Sequence, residues 1–277
     1  MQIPASVIQV LNNALEEDIG HGDITSSLII SEESESRALY VAKGDFVLAG
    51  FPFAREVFRL MDQNIFFTTF FAEGARVKRG DVLGEVSGKT RVLLGGERVS
   101  LNILQRLSGI ATLTRSFVDE VTGTGAKIVD TRKTTPGLRF IEKYAVRTGG
   151  GVNHRFGLYD GILIKDNHIE AVGSIAKAIA MAKAVHHLAK IEVEVENLND
   201  LREAVEAGAD VIMLDNMSVS DMKEAVKIVR KRVPLEASGN VSLGNVREIA
   251  ETGVALISIG ALTHSVTAAD ISLKIVR

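Results

Sequence analysis

The segment DTRKTTPGLR, from Asp130 to Arg139, gathers residue types that grip small anions. A guanidinium fork binds a carboxylate or phosphate through two parallel hydrogen bonds, while a lysine adds a movable point charge. Two more clusters follow, His154-Arg155 and Lys165-Asp166-Asn167-His168. Seven lysines and arginines (Arg132, Lys133, Arg139, Lys143, Arg147, Arg155 and Lys165) lie between Arg132 and Lys165, against only Glu142 and Asp160. The whole chain nevertheless has a formal charge of -3. A local cationic excess in a slightly acidic chain predicts a pocket for a compact polyanion, since a nucleic-acid surface usually raises the charge of the whole domain.

Carboxylates complete the chemistry. Glu194 and Asp215 each close an apolar run, where a carboxylate can meet Mg²⁺ or the hydroxyls of a sugar. Mg²⁺ takes one or two protein carboxylates beside substrate phosphates, so two acids opposite several cations suit a metal-bound pyrophosphate. The plainer reading is that they neutralise the cations, a pair at ~4 Å and an effective dielectric of about 20 being worth about 4 kcal/mol before desolvation. Glu192, Glu194 and Glu196 alternate along one run, so all three are expected to face one side. Ser238-Gly239-Asn240 and Gly260-Ala261 close two later runs with small residues, which let backbone N–H groups approach an anion.

The elements that position these groups follow from periodicity. Short apolar runs at 127–129, 161–164, 191–195, 211–214, 234–237 and 256–259 read as strands. Helical patterns at 174–188, 198–207, 220–231 and 243–251 lie between them, and Ser218 with Asp221 resembles a capping box. Alternation of this kind argues for βα units and a parallel sheet. Polar residues collect where the runs end, as they do at the catalytic face of a β/α barrel, and the short length predicts a partial barrel. The first part of the chain reads as mixed α and β: a helix at 7–17, a turn at 20–29, strands at 36–43 and 45–48, a helix at 53–61, a β-hairpin at 73–88, and a long helix from Glu97 to Val121.

Several groups carry bland readings. Arg139, Lys143 and Arg147 at four-residue spacing read as a solvated helix face. His186-His187 reads the same way, since helical metal pairs want i, i+4 spacing. Gly88-Lys89-Thr90 is not a phosphate loop, because Leu83 occupies the first glycine position. The absence of cysteine excludes disulfides, thiolate metal sites and a thiol nucleophile. The first residues carry no basic segment with an apolar run, and no stretch approaches the roughly 20 apolar residues of a membrane span, so a cytoplasmic protein is expected.

Taken together, DTRKTTPGLR, GGGVNHRFGLYDGILIKDNH (Gly149 to His168), IEVEVEN, ADVIMLDN, EASGN and ISIGALTHS resemble the quinolinate phosphoribosyltransferase family in order and spacing. EDIGHGDITS (Glu17 to Ser26) and GERVSLNILQRLSGIAT (Gly96 to Thr112) extend the resemblance over nearly the whole chain. It implies an α/β fold with an N-terminal α/β sandwich domain (1–109), onto which a C-terminal helix (266–277) packs back, and an incomplete parallel α/β barrel (110–265) carrying the chemistry. It further implies a homodimer in which Arg98 completes the partner's site. Quinolinate and phosphate would be bound by Arg132, Lys133, His154, Arg155 and Lys165. Ribose and Mg²⁺ of phosphoribosyl pyrophosphate would meet Glu194 and Asp215, and phosphate the loops at Ser238, Gly239, Asn240, Gly260 and Ala261.

The implied reaction joins quinolinate to phosphoribosyl pyrophosphate, giving nicotinate mononucleotide, CO₂ and pyrophosphate, with Lys133, Lys165, Glu194 and Asp215 nearest the chemistry. The partners expected are those two substrates and a second copy of the chain, with no nucleic acid and no membrane. Three other readings compete. A related phosphoribosyltransferase of the ModD-like type would keep the architecture with a different acceptor. A barrel aldolase would use Lys165 as a Schiff-base lysine. A non-catalytic anion carrier would be built around the hairpin.

Overall fold

The computed structural model describes residues 2–185 and 188–276. In chain order its first elements are α1 (Ala5–Ile19), α2 (Ile24–Ile29), β1 (Glu35–Ala42), β2 (Phe46–Val47), α3 (Phe51–Met61), β3 (Phe66–Thr69), β4 (Arg76–Val77), β5 (Val82–Lys89) and α4 (Thr90–Glu120). Alternation then sets in: β6 (Lys127–Val129), α5 (Arg139–Thr148), β7 (Ile162–Ile164), α6 (Asp166–Val172), α7 (Ile175–Val185), β8 (Ile191–Val195) and α8 (Leu198–Ala207). The last elements are β9 (Val211–Asp215), α9 (Val219–Val229), β10 (Leu235–Ser238), α10 (Val246–Ala250), β11 (Leu256–Ser258), α11 (Ala261–His264) and β12 (Ile271–Val276). The His186-His187 pair lies outside the described residues.

The chain divides into two compact units. One comprises Met1–Arg115, Thr134–Gly150 and Leu262–Arg277, the other Ser116–Lys133 and Gly151–Ala261. In the first, an antiparallel sheet of order β12-β1-β5-β3 buries Tyr40, Leu83 and Val86 against Phe51 and Phe58 of α3 and Leu101 and Leu104 of α4. The expected C-terminal helix is instead a strand. Residues 271–276 read Ile-Ser-Leu-Lys-Ile-Val, whose alternation at the start buries Ile271 and Leu273 and fits a period of two rather than 3.6.

Two further segments differ from the sequence expectation. Residues 20–29 do not form a simple turn: Asp23 accepts the Ser26 backbone N–H at 3.0 Å and caps the six-residue α2. Residues 73–88 are not a hairpin, because β4 pairs with β2 while β5 pairs with β1 and β3. The turn between them is as its residues suggest, with Gly80 at φ +97° and Asp81 accepting the Lys78 N–H at 2.8 Å.

Buried acids hold this unit together. Glu73 accepts the N–H groups of Gly50 and Phe51 at 2.8 and 3.0 Å and the Tyr144 hydroxyl at 2.8 Å, so a distant side chain caps α3. Burial pushes its carboxyl above the usual range despite those donors. Glu142 on α5 is fully buried, meeting Arg106 at 2.6 Å and accepting the Thr135 N–H at 3.1 Å. Lys143 beside it is buried, and the solvated-face reading fails there.

In the second unit six parallel strands run in the order β6-β11-β10-β9-β8-β7. Val152 adds a parallel bridge to Val129, beyond β6. No ladder joins β6 to β7 among the described strands, so the barrel is incomplete. The register sets Leu163, Glu192, Met213, Glu236 and Leu256 on one face. The other face buries Val193, Ile212, Leu214, Leu235, Ala237 and Ile257, the positions that helices cover in such folds. Asn197 and Ser218 cap α8 and α9 immediately after β8 and β9, fixing where each strand end turns away.

Replacing Arg106 by alanine leaves the Glu142 carboxylate buried without its cation. Denaturant unfolding of Arg106→Ala is expected to show a loss of about 3 kcal/mol, and an unchanged midpoint would refute the pair's role.

Candidate functional site

Twelve of the thirteen residues expected to touch ligands lie in the second unit, ten of them at or just past the carboxyl ends of its strands and two, His154 and Arg155, after the isolated Val152 bridge. Arg98 belongs to the other unit, exposed on α4. Arg132 and Lys133 follow β6 and are exposed, with the Lys133 N–H bound to Thr131 Oγ1 at 3.0 Å. His154 and Arg155 come just after the Val152 bridge, anchored by buried Asp130, which accepts the His154 N–H at 2.8 Å and the Asn153 amide at 2.6 Å. The Arg155 guanidinium donates Nη1–H to the Gly161 carbonyl at 2.9 Å. Its pKa is drawn down, first by burial and then by the Arg132 guanidinium, against the pull of Glu192.

Lys165 ends β7 and ion-pairs with Glu194 of β8. Its backbone N–H donates to His168 Nδ1 at 3.0 Å, which makes His168 a local tie at the start of α6. Glu196 lies past the end of β8 and is exposed, so of the three alternating glutamates only Glu192 and Glu194 project from the strand.

The next two strand ends are stitched together by amides. Asn216 donates to Asp215 Oδ2 at 2.8 Å and receives Asn240 Nδ2–H at 3.1 Å, while its N–H reaches the Ser238 carbonyl at 2.9 Å. Asn245 donates to the Asn240 carbonyl at 3.1 Å. Asn216 and Asn240 both adopt left-handed backbone, at φ 51° and 52°, a conformation asparagine tolerates well. Gly239 between the strands has φ +95°, and a Cβ there would collide with the Asn216 side chain. Gly260 and Ala261 follow β11, where Ala261 opens α11.

Below these ends sits a buried cluster. His154 Nε2 lies 2.9 Å from Glu192 Oε2 and 3.9 Å from Glu236 Oε1, and Glu236 is 1% exposed. Burial, then the Glu192 carboxylate, pushes the Glu236 carboxyl up to about 7. Asp130, Asn153, Asn216 and Glu236 were not singled out as site residues from sequence. Glu236 had a signal all the same, as a lone acid inside the apolar run PLEAS.

An incomplete α/β barrel with cations, acids and tight small-residue loops at one end of its strands defines an enzyme of the anion-handling barrel class. Comparison with known proteins narrows this. Residues 23–108 match the N-terminal domain of quinolinate phosphoribosyl transferase, and residues 110–274 match its C-terminal domain. The chain belongs to the quinolinate phosphoribosyltransferase family. It is 49% identical to a probable carboxylating nicotinate-nucleotide pyrophosphorylase of Bacillus subtilis over 268 residues, covering 96% of this chain and 92% of the relative. A mitochondrial decarboxylating quinolinate phosphoribosyltransferase 2 of Nicotiana glauca is 42% identical over 287 residues, with 96% and 81% covered. Among solved structures, NadC from Streptococcus pyogenes superposes with a TM-score of 0.95 at 41% identity, covering 100% of this chain and 99% of that one. The Francisella tularensis nicotinate-nucleotide pyrophosphorylase gives 0.95 at 42% identity, covering 99% and 98%.

The raised Glu236 carboxyl has a stability consequence. The folded protein holds this proton more tightly than the unfolded chain, so the group's contribution is complete below pH 4.5 and is lost as pH rises to about 7. Glu236→Gln abolishes that titration. Its stability relative to the unaltered protein is expected to climb by about 3 kcal/mol between those limits, read by denaturant unfolding at a series of pH values. A constant difference across the series would contradict the assignment.

Proposed function

We propose that the strand-end cations bind the two carboxylates of quinolinate beside bound phosphoribosyl pyrophosphate. The chain is a carboxylating phosphoribosyltransferase of NAD biosynthesis: it joins quinolinate to the phosphoribosyl group, releasing pyrophosphate and CO₂. The observation that supports this site most strongly is the Lys165–Glu194 ion pair across the ends of β7 and β8, together with an Arg155 guanidinium fixed on the Gly161 carbonyl. Cations held in place in this way suit a dianion, and quinolinate carries two carboxylates on one small ring.

In this reading Arg132, Lys133 and Arg155 orient the pyridine ring so that its nitrogen faces the anomeric carbon of the ribose. Lys165 and Glu194, already paired, stand where the ribose arrives. Glu194 can accept its hydroxyls while Lys165 turns to a departing phosphate oxygen. The loops at Ser238-Gly239-Asn240 and Gly260-Ala261 bring backbone N–H groups to the phosphate. As the bond to pyrophosphate breaks, positive charge grows on the anomeric carbon and negative charge on the leaving group, which fixed cations stabilise. The ring nitrogen forms the new bond with its lone pair. Once that nitrogen is positive, the adjacent carboxylate leaves as CO₂, because the electron pair left on the ring carbon sits beside a cationic nitrogen. A proton then fills that position, and Lys133 and Lys165 are the nearest donors in this scheme. The protein's contribution is positioning and electrostatics rather than nucleophilic attack.

Mg²⁺ belongs to the same proposal. Glu194 and Asp215 on adjacent strands supply the carboxylates it favours, and it would offset pyrophosphate charge. A homodimer and a cytoplasmic location are also proposed. The exposed Arg98 supports sharing of residues between copies. Among the described residues no helix is long and apolar enough to cross a membrane.

Release of CO₂ from carboxyl-labelled quinolinate should require phosphoribosyl pyrophosphate and Mg²⁺ together. Arg132→Ala should abolish that release while the thermal midpoint stays unchanged, and near-normal turnover would sink the pocket assignment. Mixing unfolded and refolded Arg98→Ala with Arg132→Ala should restore about a quarter of full activity, because each mixed dimer carries one intact site. No recovery would rule out the shared arginine.

A further inference from the structure

His154 is held at both ring nitrogens. Nδ1 accepts the backbone N–H of Arg155 at 2.8 Å, which requires a lone pair there. Nε2 therefore carries the single ring proton and donates it to Glu192 Oε2 at 2.9 Å. The imidazole is the neutral Nε2–H tautomer and adds no charge to the cationic set formed by Arg132, Lys133, Arg155 and Lys165.

Glu236 stands on the second strand over from Glu192, with Oε1 3.9 Å from the same nitrogen. One imidazole and two carboxylates with ligand atoms within 4.8 Å have the composition of a cation site. Here, however, the imidazole presents a proton to the acids rather than a lone pair. Glu192 Oε1 and Glu236 Oε1 are buried and, as carboxylates, lack a hydrogen-bond donor.

Arg155 is tied at its backbone N–H by His154 and at Nη1 by the Gly161 carbonyl. An arginine pinned at both ends has little rotational freedom left, so its remaining donors are presented in one direction.

We propose that Glu192 and Glu236 are positioning residues for quinolinate binding: Glu192 accepts the His154 Nε2–H with Glu236 packed beside it, and the His154 held this way fixes the backbone that aims the Arg155 guanidinium. The proposal rests on the assignment of Arg155 to a quinolinate carboxylate.

The test compares KM for quinolinate, KM for phosphoribosyl pyrophosphate, kcat and thermal midpoint across alanine and glutamine variants. Glu192→Ala and Glu236→Ala are expected to raise the quinolinate KM about tenfold while the KM for phosphoribosyl pyrophosphate stays within about twofold. Glu192→Gln keeps an acceptor oxygen for His154, and Glu236→Gln keeps the size and polarity of the side chain beside it. Both should restore the quinolinate KM to near its original value. Alanine variants that lower the thermal midpoint but leave both KM values unchanged would reduce the pair to a structural role and overturn the proposal. Arg155→Ala separates the premise: an unchanged quinolinate KM in that variant removes Arg155 from the acceptor site whatever the glutamates do. Long-range ¹⁵N–¹H correlation on histidine-labelled protein, with His154 assigned by its loss in His154→Gln, should give the neutral Nε2–H pattern. An imidazolium or an Nδ1–H tautomer would overturn the proposal even if the alanine variants fail to fold.

Discussion

The register of the parallel sheet is the constraint on which the rest depends. Side chains alternate between faces along a strand, so a slip of one residue in β8 would turn Glu192 and Glu194 toward the helices and Val193 toward the interior. The apolar face guards against that slip. Burying each of Val193, Ile212, Leu214 and Leu235 is worth about 1.5–3 kcal/mol, and all would be lost together with the register. The acids are thus held in place by hydrophobic burial on the opposite side of the same strands.

With the register set, charge balance organises the site. Arg132, Lys133 and Lys165 follow strands whose ends also carry Asp130, Asp166, Glu194, Glu196 and Asp215. Lys165 is matched by Glu194, and Arg155 has Glu192 beneath it. Two of the cations offered to a ligand are thus balanced by acids of β8. Amide links among Asn216, Asn240 and Asn245 do comparable work for the loops, holding the backbone in left-handed turns without adding charge.

Much of this was legible in the sequence. Each of the six apolar runs from 127 to 259 is a strand, and the polar residues at their ends gather at one end of one sheet, because βα alternation leaves few other topologies. The misses have local causes. The helix α2 is six residues long, too short for any periodicity, and only its Asp23 cap marks it. The apparent hairpin carried true turn residues, but turn chemistry cannot say which strands pair across it. The family resemblance implies a final helix, whereas the alternation of Ile271 and Leu273 with polar neighbours favours the strand that forms. Glu236 stayed hidden because a single acid in an apolar run gives no hint of the second acid and the imidazole that share its burial, residues distant along the chain.

The pairing of β12 with β1 bears on how the protein is made. Residues 271–276 lie beside residues 37–42, so the first sheet cannot be finished until a segment that follows every strand of the parallel sheet has been made. Until then one edge of β1 is an open ladder of backbone donors and acceptors. The parallel sheet draws all of its strands from residues 127 to 258 and can close earlier. Synthesis order is therefore inverted: the sheet whose strands begin earlier is sealed after the one that begins later, and during that interval its unprotected edge is where nascent chains would stick to one another.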